Sequence, residues 1–199
     1  ISSWCVTNIT SEPDDFSTDS LLIEDSKPVW GTCPTVSVDT TIPLITLLGD
    51  AAVTIEVGGT YTDAGATALD NYDGDITDDI EAVSTVDVST VGSYTVTYDV
   101  SDANNNDAVQ VIRTVNVEDT TIPVITLTGD ATVTIEVGAT YTDAGATALD
   151  NYDGDITDDI EAVSTVDVST VGSYTVTYDV SDANGNAAVE VTRTVDVVS

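Results

Sequence analysis

The chain contains no histidine, and only three of its 199 residues, Lys27, Arg113 and Arg193, are basic. The missing histidine removes Ser-His nucleophilic catalysis and histidine-ligated zinc from consideration. Within the part of the chain that repeats there is no lysine either, so lysine-based intramolecular isopeptide bonds are unavailable there. The scarcity of positive charge leaves phosphate backbones and anionic lipids without an electrostatic handle, because 36 acidic residues give a formal charge of −33. No nucleic-acid partner and no membrane insertion are expected, since no stretch reaches the apolar length of a membrane span. Cysteine is confined to Cys5 and Cys33, an even count that suits one disulfide in an oxidising compartment and is too small for a cysteine zinc site. The sequence opens on Ile1 with no basic, apolar leader, and nothing at its end resembles an anchor. A mature secreted or cell-surface chain is the expectation.

Hydrophobic residues make up 41% of the chain, too many for a disordered acidic tail, so it should fold. Its self-repulsion opposes compaction, and the medium must screen that charge or cations must bind it. The organising feature is a repeat: Asp39-Thr40-Thr41-Ile42-Pro43 returns as Asp119-Thr120-Thr121-Ile122-Pro123, a shift of 80 that holds without a gap to residue 198. Ten of the 80 aligned positions differ, and Thr60–Asn104 recurs unchanged as Thr140–Asn184. A period this long suits a complete small domain, with units that fold separately and meet end to end.

Within each unit apolar residues alternate, as in Val53-Thr54-Ile55-Glu56-Val57 and Tyr94-Thr95-Val96-Thr97-Tyr98, which is the pattern of half-buried strands. Turn residues at Gly58-Gly59, Asp73-Gly74-Asp75, Gly92-Ser93 and Asp102–Asn106 leave about seven short strands per unit, the number expected of an immunoglobulin-like β-sandwich. The fold class is all-β, with module 1 at residues 39–118 and module 2 at 119–199. Tyr94 is placed either as a tyrosine-corner residue or as plain core. Arg113 and Arg193 lie in phase with the inward valines at 109, 111, 115 and 117 and their repeats, so either a bulge re-aims them or they pair with a carboxylate at the sheet edge.

The order Asp-Thr-Thr-Ile-Pro, Glu-Val-Gly-x-Thr-Tyr-Thr-Asp-Ala-Gly-Ala, Asp-Gly-Asp-Ile-Thr, Val-Gly-Ser-Tyr-Thr-Val-Thr-Tyr-Asp-Val-Ser-Asp and Arg-Thr-Val resembles the bacterial immunoglobulin-like surface repeats over residues 39–198. That resemblance implies a spacer or adhesive unit of a surface or secreted protein and names no ligand. Residues 1–38 fall outside it. They hold both tryptophans, both cysteines, the lone phenylalanine and the lone lysine, which makes them a separate head or connector. A Cys5–Cys33 disulfide would stabilise so short a segment by about 3–4 kcal/mol. The head ends either as the last strand of a truncated module or as a strand donated to a neighbouring subunit. Asn8-Ile9-Thr10 fits a glycosylation sequon.

The remaining chemistry is carboxylate chemistry. The loop after the second strand holds Asp63, Asp70, Asp73, Asp75 and further acids around Gly74, the composition with which a chain supplies six to eight oxygens to calcium. It is not an EF-hand loop, because aligning Gly74 to the invariant glycine puts Leu69 and Ile80 at the terminal ligand positions. In a sandwich this loop and the loop carrying Asp102 meet at the end where the chain enters, near Asp39. In module 2, Asp143, Asp150, Asp153, Asp155 and Asp182 should likewise approach Glu118 and Asp119, an arrangement similar to the calcium-stiffened junctions of cadherin-like arrays. Glu118 is singular, for its counterparts are Val38 and Val198. Paired acids could in principle cleave glycosides, but duplication of the whole set argues for repeated structure over catalysis, and no enzyme is expected. The expected function is a calcium-stabilised fibre subunit or stiff stalk that assembles with identical subunits or neighbouring modules. The alternative is an adhesin that binds a glycan or host protein through the head or through tips such as Tyr72 and Tyr152.

Overall fold

A computed structural model describes residues 38–199. The head, with its proposed Cys5–Cys33 disulfide and donated strand, lies outside the described residues. Module 1 runs β1 (Leu44–Leu47), β2 (Ala52–Glu56), β3 (Ala66–Asp70), β4 (Gly74–Asp75), β5 (Glu81–Ser84), β6 (Gly92–Asp99) and β7 (Val111–Glu118), with one 3-10 turn at Thr77–Asp79. Module 2 repeats the order as β8 (Val124–Leu127), β9 (Thr132–Glu136), β10 (Ala146–Asp150), β11 (Gly154–Asp155), β12 (Glu161–Ser164), β13 (Gly172–Asp179) and β14 (Val191–Val198).

Each module is a two-sheet sandwich. One sheet is β1-β3-β4 and the other β2-β7-β6-β5, matched by β8-β10-β11 and β9-β14-β13-β12. All pairings are antiparallel except β2 with β7 and β9 with β14. The period-two alternation decides which faces meet: Ile45, Ala66 and Ala68 from one sheet pack on Val96, Tyr98 and Val115 from the other. The small alanines of β3 leave room for the Tyr98 ring. Tyr94 lies outside that core; its hydroxyl donates to the Thr90 carbonyl at 2.9 Å, the tyrosine-corner arrangement, and Tyr174 does the same with Thr170.

The two arginines have the expected carboxylate partners, Asp63 and Asp143, but on interior strands and not at the sheet edge. No bulge turns Arg113 outward; it sits mid-β7 facing inward, and its side chain is 1% exposed. Its Nη1 donates to Asp63 Oδ1 and to the Tyr98 hydroxyl, its Nη2 to the Leu48 and Gly65 carbonyls, and its Nε to the Asp50 carbonyl at 3.0 Å. The guanidinium thus gathers the Leu48 and Asp50 carbonyls of the short β1–β2 turn and adds a second donor to the Gly65 carbonyl, which already accepts from the Leu48 amide at 2.9 Å. Arg193 and Asp143 repeat the network. Val109 and Val189, expected to face inward, precede the strands and are exposed.

Candidate metal centre

Three segments converge at the leading end of each module: the entry at Asp39, the β3–β4 turn and the β6–β7 loop. The turns fold as they do because aspartate side chains mimic backbone acceptors for amides two to four residues on. Asp70 Oδ1 accepts from the amides of Tyr72 (2.7 Å) and Asp73 (3.0 Å). Asp102 Oδ1 accepts from the amides of Asn104 and Asn106, both at 2.8 Å, while Asp73 Oδ2 accepts from the Ala103 amide across the two loops at 3.0 Å. Asn106 Nδ2 ties its loop to the entry by donating to the Asp39 carbonyl at 3.2 Å and to Asp102 Oδ2 at 2.7 Å.

These bonds pin one oxygen of most carboxylates and aim the others at a common point. Asp39, Asp70, Asp73 and Asp102 each place an oxygen within 4.8 Å of the rest, and so do Asp119, Asp150, Asp153 and Asp182. Oδ2 of Asp70 and Oδ2 of Asp150 are buried and accept no hydrogen bond, although the residues are only 8% and 9% exposed. A buried carboxylate oxygen without a donor is costly unless a cation satisfies it. Burial pushes the Asp119 carboxyl up in pKa, and Asp150 and Asp182 push in the same direction. For Asp182 burial also works upward, but the side-chain and backbone donors of Asn186 outweigh it and hold the carboxyl below its ordinary value. An all-oxygen set of aspartates fits a hard divalent cation and offers nothing to a soft metal.

The other acids named from the sequence stand elsewhere. Asp63 and Asp143 belong to the arginine networks. Burial alone would raise their pKa values, yet donation from Tyr98, Tyr61 and Arg113 holds Asp63 low, as Tyr141, Tyr178 and Arg193 do for Asp143. Asp75 and Asp155 accept from the Thr77 and Thr157 amides, both at 3.0 Å, and so start the 3-10 turns. Glu118 ends β7 with its side chain exposed and outside the four-carboxylate group; its carbonyl accepts from Val57 N at 2.8 Å. The acidic group is therefore a property of each module and does not depend on the residue unique to the junction.

Sequence reasoning missed the contact between the modules. Glu56, at the trailing end of module 1, accepts from Thr120 N (3.1 Å) and Thr120 Oγ1 (2.6 Å) at Oε2, and from Thr121 Oγ1 (2.6 Å) at Oε1. Hydrogen bonds from the side chains of Thr120 and then Thr121 pull its carboxyl down to about 2. Tyr152, between Asp150 and Asp153, brings its hydroxyl to 3.4 Å from Val91 N of module 1. The available signal was the pair of hydroxyl residues after each Asp39 or Asp119, but its acceptor lies 64 residues away in the chain.

Paired sheets of this topology, repeated in tandem with loops gathered at one end, define an immunoglobulin-like sandwich protein. The chain belongs to the family described as bacterial surface protein, Ig-like domain, matched at residues 45–117 and 125–197. Membership places its modules among bacterial surface proteins. Among curated proteins it is similar to hyalin of Strongylocentrotus purpuratus, 29% identical over 187 residues that cover 87% of this chain and 15% of hyalin. Similar solved structures include the lipoprotein BT2262 from Bacteroides thetaiotaomicron, with 16% identity, TM-score 0.36 and coverage of 76% of this chain and 99% of that one. Domains 4–9 of surface layer protein SbsC match at 16% identity with TM-score 0.29, over 80% of this chain and 32% of that one. Among the described residues no helix is long and apolar enough to cross a membrane.

Proposed function

We propose that this chain is a non-catalytic structural segment of an extracellular surface protein, a run of immunoglobulin-like modules that each bind one calcium ion and together form a stiff stalk or part of a fibre. The observation that carries the calcium reading is the buried, donor-free Oδ2 of Asp70 and Asp150, each facing three further aspartates. Four carboxylates cannot share so small a space at neutral pH without mutual repulsion, which a doubly charged ion reverses. Sites of this type in extracellular modules bind at about 0.1–1 mM, a range filled outside cells and empty in cytosol. Family membership supports the surface role, and the near-identity of two modules supports a repeated spacer.

Isothermal titration of the full chain with calcium should report two sites, reduced to one by either Asp70→Asn or Asp150→Asn and to none by both. Binding that survives the double substitution would overturn the assignment. Electron microscopy in calcium and after chelation separates the two structural forms, since regular filaments mean a fibre subunit and isolated rods a stalk. A second reading, adhesion, is favoured by Tyr72, 66% exposed at the acidic tip of module 1. Glycan-array binding that Tyr72→Ala abolishes would establish it.

A further inference from the structure

The two acidic groups are alike in composition and unlike in what their loops touch. In module 2 two of the three segments that supply an aspartate also carry a residue in contact with module 1, and the third is bonded to the first. Asp119 is followed directly by Thr120 and Thr121, whose three donors close on Glu56. The Thr121 amide also donates back to Asp119 Oδ1 at 3.3 Å, so the carboxylate and the clasp share one short piece of backbone. Asp150 and Asp153 flank Tyr152, whose amide is held by Asp150 Oδ1 at 2.8 Å and whose hydroxyl meets Val91. The third segment joins through Asn184 and Asn186, which donate to Asp119 Oδ2 and to the Asp119 carbonyl, both at 3.0 Å.

We propose that the cation site formed by Asp119, Asp150, Asp153 and Asp182 is a latch on the module junction: its occupancy fixes the orientation of module 2 against Glu56, Val57 and Val91 of module 1. This inference rests on the reading that calcium occupies the site. Without the ion, repulsion between Asp119 and Asp150 drives the linker away from the loop that carries Tyr152, and the two contacts with module 1 cannot hold a common geometry. With the ion, Asp119 and the Asp150–Asp153 turn are drawn together, and Thr120, Thr121 and Tyr152 are presented to module 1 as one rigid edge. The surface they meet is already shaped by the contact. Val57 is 7% exposed, whereas its counterpart Val137 is 44% exposed, and Glu136, the counterpart of Glu56, receives no side-chain hydrogen bond among the described residues.

A latch obeys reciprocity: if the ion strengthens the junction, the junction must strengthen ion binding by the same factor. Removing the clasp should therefore weaken only the site in module 2. The test uses the full chain with one site at a time. In an Asp70→Asn background, which leaves the module 2 site, Glu56→Ala should raise the calcium dissociation constant by at least ~5-fold, the lower end of ordinary coupling factors. In an Asp150→Asn background, which leaves the module 1 site, the same substitution should change nothing. Glu136→Ala, the same chemistry at the other end of module 2, should be silent in both, and Thr121→Val provides a second way to open the clasp. Small-angle scattering supplies the structural readout, with calcium narrowing the spread of intermodule distances in the wild type and in Asp70→Asn but not in Asp150→Asn or Glu56→Ala. Equal calcium affinity with and without Glu56, at a site that does bind, overturns the latch and leaves the calcium reading intact. Absence of binding in the Asp70→Asn background overturns both.

Discussion

Modules 1 and 2 differ at ten of 80 positions, yet some of the residues they share lead different lives. Tyr72 and Tyr152 occupy the same place in the same turn, but the first is 66% exposed and the second 38%, because the second leans on module 1. Inside the sandwiches the opposite holds: Ile45 pairs with Ala68 as Ile125 pairs with Ala148, and both arginine networks draw on equivalent positions, even where Leu48 becomes Thr128. The comparison separates what the sequence of a module dictates from what its neighbour adds. Cores are set within each module, and the surfaces at the ends are set by what abuts them.

The severest challenge to this division is removal of the acid beneath each arginine. Asp63→Ala and Asp143→Ala each strand a buried guanidinium, at a cost of about 3–5 kcal/mol, which is a large share of the stability of a domain this size. Calorimetry of the full chain should show the substituted module melting early while the other keeps its transition. Matching losses for the two substitutions uphold independent cores. A difference of more than about 1 kcal/mol would mean that the junction reaches into the core.

The strands and the sandwich were legible because one face of each strand is buried, which imposes alternation on stretches such as Tyr94–Val100 and Val53–Val57. That the entry, the β3–β4 turn and the β6–β7 loop share one end followed from topology, and this made the eight clustered aspartates nameable. Their separation from Asp75, Asp155 and Glu118 was not legible, because it depends on which carboxylate oxygen the backbone amides of each turn capture. Arginine burial was hidden for another reason. Arg113 finds Asp63 and the Leu48 carbonyl 50 and 65 residues away, and a lone basic residue among valines reads most simply as an edge residue. The Glu56 clasp is a relation between domains and has no local pattern at all.

The clasp provides a smaller, pH-dependent test. Its folded carboxyl is the stronger acid, at about 2 against an ordinary 4.5, so the stabilisation it brings is complete above the ordinary value and is lost as pH falls through the folded one. Because the group is solvent-exposed, the effect belongs to junction order more than to global stability. A carbon-detected titration of the Glu56 carboxyl should begin well below the ordinary value in the wild type. In a Thr120→Ala, Thr121→Val double variant it should move back towards that value. An unchanged titration would mean that the threonine hydroxyls do not close on Glu56 in solution.

The smallest expected effect concerns the β6–β7 loop, where the modules differ in sequence beside the acidic group. Asn105 takes a positive φ of 65° and its counterpart Gly185 one of 90°, among the described residues the only such pair in which one member is not glycine. Asparagine tolerates the left-handed region because its short polar side chain bonds locally, whereas a β-branched residue there meets its own backbone. Gly185→Asn should therefore alter the stability of module 2 by no more than about 0.5 kcal/mol and leave calcium affinity unchanged, since module 1 builds the same loop that way. Gly185→Val should cost clearly more. If Gly185→Asn proves as damaging as Gly185→Val, the loop of module 2 is under a constraint that module 1 lacks. The place to seek it is the bond from the adjacent Asn184 to Asp119, which is the point where this loop meets the linker.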